Sequence, residues 1–177
     1  RGRLIDIGGA SMQFVTASFR KSYPIGCVRG RDIAQSKTGM PDCDSDFPAQ
    51  RKAITDCVNA LTEGALPARG GMLPCTGVGG TITTLGALAL GLETYDKSRV
   101  HETPLTRDKL EELIAVLSRM GGGRKLLPLL TVRHDVILYG AYIFAHALEL
   151  IGVDECGVSC ADGMEGFLRI LKQDEKI

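Results

Sequence analysis

The spacing of apolar positions changes several times along this chain, and each change predicts an element. Residues 3–8 form a short apolar run broken by Asp6, the pattern of a buried strand. Over residues 11–17, Met12, Phe14 and Thr16 alternate with Gln13, Val15 and Ala17, which predicts a second strand with one buried face. Residues 21–26 predict a third, joined to the second by a short turn near Phe19-Arg20. Three strands so closely spaced read as an antiparallel meander. Residues 29–46 hold Gly39, Pro41 and Asp42 as turn signals and read as irregular.

Helical spacing begins at residues 47–63, where Ile54, Val58 and Leu61 share one stripe. Gly70-Gly71 breaks the chain, and residues 72–78 return as a strand. Residues 81–90 are rich in Ala and Leu and predict a buried helix. Residues 106–120 predict an amphipathic helix with Thr106 as N-cap. Gly121–Gly123 reads as a hinge or cap, and residues 125–130 as a short helix. Asp135 stands where an N-cap would start the long apolar helix 136–151, and Gly152 where a left-handed residue would stop it. A last strand over 155–160 and a closing helix over 163–173 complete the order. The expectation is an α/β fold, a mixed five-stranded sheet with three antiparallel strands first and helices packed on it, in one domain over residues 1–177.

Composition narrows the function classes. The 177 residues carry 21 Lys plus Arg and 21 Asp plus Glu, a formal net charge of zero. No global charge attracts nucleic acid or an acidic membrane surface. Basic residues at Arg20-Lys21 and Arg29–Arg31 read as a solvated face. No run approaches the roughly 18 apolar residues of a membrane span, and no secretory signal precedes the first strand. A natural start would carry Met, so the first residue, Arg1, suggests a chain cut from something longer. Six cysteines, at 27, 43, 57, 75, 156 and 160, form no C-x-x-C pair, and no histidine stands at zinc-ligand spacing. Reduced thiols in a cytoplasmic protein are the expectation.

Candidate chemistry lies in two segments that echo each other, "DIGGAS" and "GVGGTIT" (residues 77–83), each placed after an apolar strand. Gly8-Gly9 and Gly79-Gly80 let backbone N–H groups approach an anion without obstruction by Cβ, and Ser11 and Thr81 add hydroxyl donors. The second segment runs into a helix whose N-terminus favours negative charge. Two such loops facing one another would clamp a phosphate; each alone also fits a tight turn that needs φ > 0. Asp6 leaves three roles open: holding Mg²⁺, positioning a water, or accepting hydrogen bonds from its own turn. His101, His134 and His146 have no partners at ligand spacing and read as structural. Arg133 precedes a helix start and reads first as an exposed residue, within reach of an anion. The glycines of "ADGMEG", Gly163 and Gly166, read as a close-packed turn.

With these motifs in order, the chain resembles the exopolyphosphatase/guanosine pentaphosphate phosphatase family. "IDIGGAS" resembles its Asp-Ile-Gly-Gly-Gly-Ser phosphate loop, and "GVGGTITTLGALALGLETYDKSRVHETPLT" its second glycine loop with the helix and loop after it. "RHDVILYGAYIFAHALELIG" resembles its Arg-x-Asp-Val-Ile helix, and "VSCADGMEGFL" its closing strand-turn-helix. The resemblance implies the second lobe of a two-lobe core of the sugar kinase and actin-like ATPase superfamily. Each lobe of that core is ribonuclease H-like, and the site lies between them. It implies that Asp6 helps bind Mg²⁺ and orients the attacking water, that Gly8, Gly9 and Ser11 cradle the terminal phosphoryl group, and that Gly79, Gly80 and Thr81 line the opposite loop. The first lobe would bring another phosphate loop and a water-activating glutamate.

The first loop departs from the family at two positions. Ala10 replaces a glycine, and Gln13 replaces a carboxylate linked to metal binding or catalysis. A glutamine donates to phosphate but supplies neither charge nor a base. The leading expectation is therefore the C-terminal lobe of a cytoplasmic, Mg²⁺-dependent phosphatase of polyphosphate or guanosine pentaphosphate, inactive without its first lobe. A degenerate phosphate- or nucleotide-binding sensor is the alternative, and an ATP-dependent kinase a third. The apolar helices leave two candidates to cover them, the first lobe and a second copy in a homodimer.

Overall fold

The computed structural model describes residues 2–39, 47–63, 66 and 74–161. The opening meander forms as the pattern predicts: β1 (Arg3–Ile7), β2 (Met12–Val15) and β3 (Arg20–Tyr23). Arg3, Ile5 and Ile7 of β1 and Met12 and Phe14 of β2 are buried on one face, while Leu4, Asp6, Gln13 and Val15 lie half-buried on the other. β4 (Cys75–Val78), β5 (Pro104–Thr106) and β6 (Glu155–Val158) complete one mixed sheet in the order β3-β2-β1-β4-β6-β5. β1 pairs parallel with β4 and β4 with β6, and the remaining pairs are antiparallel.

The α/β class holds, and the count of five strands is corrected to six. β5 has only three residues and begins with proline, so no periodicity announced it. It exists because β6 offers an edge, with Leu105 opposite Cys156. Proline suits this position, since an outermost strand can spare an N–H.

The helices are α1 (Cys27–Thr38), α2 (Phe47–Thr62), α3 (Gly80–Ala89), the single turn α4 (Lys97–Val100), α5 (Arg107–Met120) and α6 (Ile137–Ile151). α6 is apolar and buried on every side over residues 137–145, and only its last turns carry a polar pair, His146 and Glu149, so it must lie inside the molecule along most of its length. It packs against α1, α2, α3 and α5 and forms the centre of the core. α5 starts as predicted, with the Thr106 hydroxyl accepting from Lys109 N at 3.2 Å. Gly152 ends α6 in the left-handed conformation at φ 66°.

Three further expectations change. The turn signals of residues 29–46 predict irregular structure, yet α1 occupies Cys27–Thr38; its sequence is polar on average, and a narrow stripe of Cys27, Gly30 and Ala34 is all it buries. Asp135 does not cap α6. The N–H groups of Val136 and Ile137 donate instead to the Arg133 carbonyl, at 3.1 and 2.9 Å, and the Asp135 carboxylate forms an ion pair with Arg31 of α1. Gly121–Gly123 is a cap but no free hinge. It opens a 3₁₀ helix, Gly121–Leu126, pinned by the fully buried Arg124, which donates to the carbonyls of His134 (2.9 Å) and Leu117 (3.1 Å). Cys43, Gly70-Gly71, the first residues of the strand expected over 72–78, the glycines of "ADGMEG" and the closing helix over 163–173 lie outside the described residues.

Candidate active site

Parallel neighbours deliver the ends of β1 and β4 to the same edge of the sheet, with Asp6 opposite Val78 in register. The two glycine loops at those ends are therefore side by side. Gly79 sits at φ 91° and ψ 160°, a region essentially restricted to glycine. A Cβ there would overlap Asp6 Oδ1 and lie 3.2 Å from the Ile7 carbonyl. The Asp6 carboxylate thus rests directly over the second loop. The half-buried Arg133 guanidinium covers the next residue, its Cζ 2.9 Å from where a Gly80 Cβ would be. One carboxylate and one guanidinium flank the same pair of glycines.

The first loop is built on α1. Gly8 N donates to Ser11 O at 3.0 Å, closing a tight turn. The Gly8 carbonyl accepts from Cys27 N at 2.9 Å, and the Gly9 carbonyl from Val28 N at 2.9 Å and Arg29 N at 3.2 Å. The first turn of α1 is thus capped by the loop, with no side-chain cap. In a trans peptide the N–H points opposite its carbonyl. With no cis bonds here, the N–H groups of Gly9 and Ala10 are directed away from α1, on exposed residues. Gly26 makes the junction feasible: a Cβ there would overlap the Gly8 carbonyl oxygen and lie 2.6 Å from both Gly9 C and Ser11 N.

Gln13 lies opposite Asp6 on β2. Its side-chain amide donates to the hydroxyl oxygens of Ser11 (2.7 Å) and Ser22 (3.1 Å). Ser11 then accepts from Gln13 and keeps its own proton for another acceptor. Thr81 departs from the expectation of a hydroxyl in the loop. It is 1% exposed, and its side chain packs into α6 where Gly140 leaves room, so its hydroxyl is withdrawn from the loop and its backbone N–H stays in the first turn of α3. Thr83 and Thr84 hold the loop from behind, donating to the carbonyls of Gly79 (3.1 Å) and Gly80 (2.6 Å).

Beyond the second loop, Gly79, Gly80, Thr83, Tyr95, Ser159 and Cys160 line a cavity of about 160 Å³. Burial and then its hydrogen-bond contact with Cys160 Sγ, at 3.2 Å, push the Tyr95 hydroxyl pKa up. His101 Nδ1 accepts from Cys160 N at 3.2 Å, and His146 bonds Asn59 and Glu149. Both histidines hold structure together, as their spacing implies. Sequence reading missed Gly26, Tyr95 and Ser159, and treated Arg133 as a surface residue. For Arg133 a signal existed, its place two residues before Asp135 in the "RHDV" motif; for the others no local pattern marks them.

The match to known proteins is broad. The Ppx/GppA phosphatase family matches residues 1–169. The chain belongs to the Ppx/GppA phosphatase family. It is 34% identical over 183 residues to Exopolyphosphatase 2 of Mycobacterium tuberculosis (strains CDC 1551 / Oshkosh and ATCC 25618 / H37Rv), covering 93% of this chain and 53% of that protein. The chain thus spans about half the length of these relatives. A crystal structure of the Aquifex aeolicus Ppx/GppA family member superposes with a TM-score of 0.78 at 25% identity, covering 97% of this chain and 56% of that one. An exopolyphosphatase from Cytophaga hutchinsonii shares the fold, with a TM-score of 0.75 at 18% identity over 96% of this chain and 56% of that one. This Ppx/GppA chain carries the family's α/β fold of the actin-like ATPase type.

Proposed function

We propose that this chain is the second lobe of a two-lobe phosphoanhydride hydrolase that releases terminal phosphate from polyphosphate or guanosine pentaphosphate in the cytoplasm. One observation carries the reading: two glycine loops share a sheet edge, with the Asp6 carboxylate lodged over Gly79 and the Arg133 guanidinium over Gly80. Membership of a phosphatase family and the 34% identity to an exopolyphosphatase support it.

In this reading Gly8, Gly9 and Ser11 cradle the terminal phosphoryl group, through outward N–H groups and the Ser11 hydroxyl. Gly79, Gly80 and the N–H of Thr81, at the start of α3, hold the other side, where the helix dipole favours an anion. Arg133 neutralises charge that spreads over the equatorial oxygens of a loose phosphoryl-transfer transition state. Asp6 accepts a hydrogen bond from the attacking water and so orients it. The donor set fits Mg²⁺. Among the described residues no group of three or more His, Cys, Asp or Glu forms a cage, and Mg²⁺ binds through one or two carboxylates with phosphate oxygens and water. Asp6 would be that carboxylate; the ion, when bound, supplies charge neutralisation at the phosphoryl oxygens. The first lobe brings the water-activating glutamate and the second wall, so this chain alone is inactive.

The test is phosphate release, measured colorimetrically, by the full-length protein on polyphosphate and on guanosine pentaphosphate. Asp6→Asn should lower kcat/KM at least 10²-fold; a rate unchanged in that variant, or brisk release by residues 1–177 alone, refutes the reading. The Gln13 contacts favour a second one, a phosphate sensor without turnover, since an amide now holds Ser11 and Ser22 where the family has a carboxylate. A large rate gain in Gln13→Glu marks a degenerate catalyst, and an unchanged rate argues against that alternative.

A further inference from the structure

We propose that Cys75 and Cys156 form a peroxide-responsive thiol pair, a modification site whose closure to a disulfide is transmitted to the second glycine loop. The two residues lie on adjacent parallel strands, each one position before the register pair Thr76 and Gly157. Neighbouring strands run about 4.8 Å apart, within the Cα separation a disulfide accepts. The sulfurs already lie 3.3 Å apart, with the Cys156 thiol donating to Cys75. Both are free thiols.

The surroundings divide the labour between them. Cys75 keeps 5% of its surface exposed and Cys156 none, so a small oxidant meets Cys75 first. Arg3, 4% exposed, is the register partner of Cys75 on the other side, in β1. The Cys156 S–H bond and then the Arg3 charge draw the Cys75 pKa down against burial, while the same bond and burial push Cys156 up. Cys75 is the nucleophile, and Cys156 the resolving thiol that keeps its proton.

The chemistry balances with hydrogen peroxide as oxidant. Cys75, as thiolate, attacks one peroxide oxygen; the O–O bond breaks, and the departing hydroxide takes a proton to become water. Cys75 is left as a sulfenic acid. The Cys156 sulfur then bonds to the Cys75 sulfur, its proton leaves with the hydroxyl, and a second water forms. Two thiols and one peroxide give one disulfide and two waters, with two electrons passing from sulfur to oxygen.

Closure has a route to the site. The sulfurs must approach by about 1.3 Å to reach a bond of about 2.05 Å. Cys156 Sγ sits 3.3 Å from where a Gly77 Cβ would be, and Ile82 Cγ2 of α3 lies 2.8 Å from the same point. Moving that sulfur toward Cys75 therefore shifts packing under Gly77, two residues before Gly79, and under the first turn of α3.

The experiment uses full-length protein and needs no catalytic readout, so it stands apart from the phosphatase reading. Reduced protein is treated with hydrogen peroxide, denatured in N-ethylmaleimide, digested and mass-analysed. The expected product is a peptide pair joining Cys75 to Cys156, lighter by two hydrogens, abolished by dithiothreitol and absent from Cys156→Ser. Amide hydrogen exchange over residues 79–83 should change at least threefold on oxidation of the wild type and revert on reduction. Recovery of both cysteines as maleimide adducts, or either joined to another cysteine, overturns the pair. A Cys75–Cys156 link with unchanged exchange over 79–83 overturns its coupling to the loop.

Discussion

Replacing Gly79 with alanine puts a methyl group where the Asp6 carboxylate oxygen already sits. Two costs add. The backbone at φ 91° and ψ 160° lies in a region where a residue with a Cβ is strained by about 1–3 kcal/mol. The overlap with Asp6 Oδ1 forces that side chain off its rotamer, at about 0.5–1.5 kcal/mol, or moves the loop. Together the substitution should destabilise the fold by about 2–4 kcal/mol. A displacement of the carboxylate by about 1 Å should also lower phosphate release by about 10²-fold. Gly91→Ala separates the two causes: its φ is 66° and nothing lies within 4 Å of the new Cβ. It should lose about 1–2 kcal/mol from left-handed strain and keep its rate. Urea unfolding of both variants, with phosphate release by the full-length protein, makes the comparison. If Gly79→Ala loses no more stability than Gly91→Ala, or retains a rate within threefold of wild type, the close approach of Asp6 to the second loop is wrong.

Gly26→Ala inserts a Cβ 2.6 Å from Gly9 C and Ser11 N, so it should push the first loop off α1 and weaken inorganic phosphate binding by at least tenfold in calorimetry. Arg133→Ala should lower kcat/KM by about 10²–10³-fold, as loss of a transition-state charge contact does, while moving the thermal midpoint by no more than about 3 °C; a midpoint that falls steeply instead would recast Arg133 as structural. Asp96 caps α4, accepting from the Ser98 hydroxyl at 2.6 Å and from two backbone N–H groups, and these bonds lower its pKa. Its contribution is therefore complete above the ordinary carboxylate pKa of about 3.9 and is lost as pH falls through the lower native value. The urea midpoints of wild type and Asp96→Ala should differ at pH 7 and converge in acid; a gap that widens there contradicts the sign.

Local chemistry was legible before any contact was known. The alternation of Met12 and Phe14 against Gln13 and Val15 sets which face of β2 is buried, because successive side chains on a strand point to opposite faces. Thr106 and Gly152 mark helix ends because each satisfies a terminus within a few residues of itself. The two Gly-Gly pairs after apolar strands are visible for the same reason. Tertiary structure decided the rest. α1 has little periodicity and no side-chain cap; it is a helix because the carbonyls of Gly8 and Gly9 receive its first N–H groups. Asp135 has the right chemistry for a cap and meets Arg31 instead, 104 residues away. Thr81 turns into the core because Gly140 leaves space there, and Arg133 reaches Gly80 because the chain before α6 is folded over α3. A residue's own neighbours in sequence determine its backbone preference, whereas the partner that consumes its side chain is set by whichever distant strand or helix packing brings within reach.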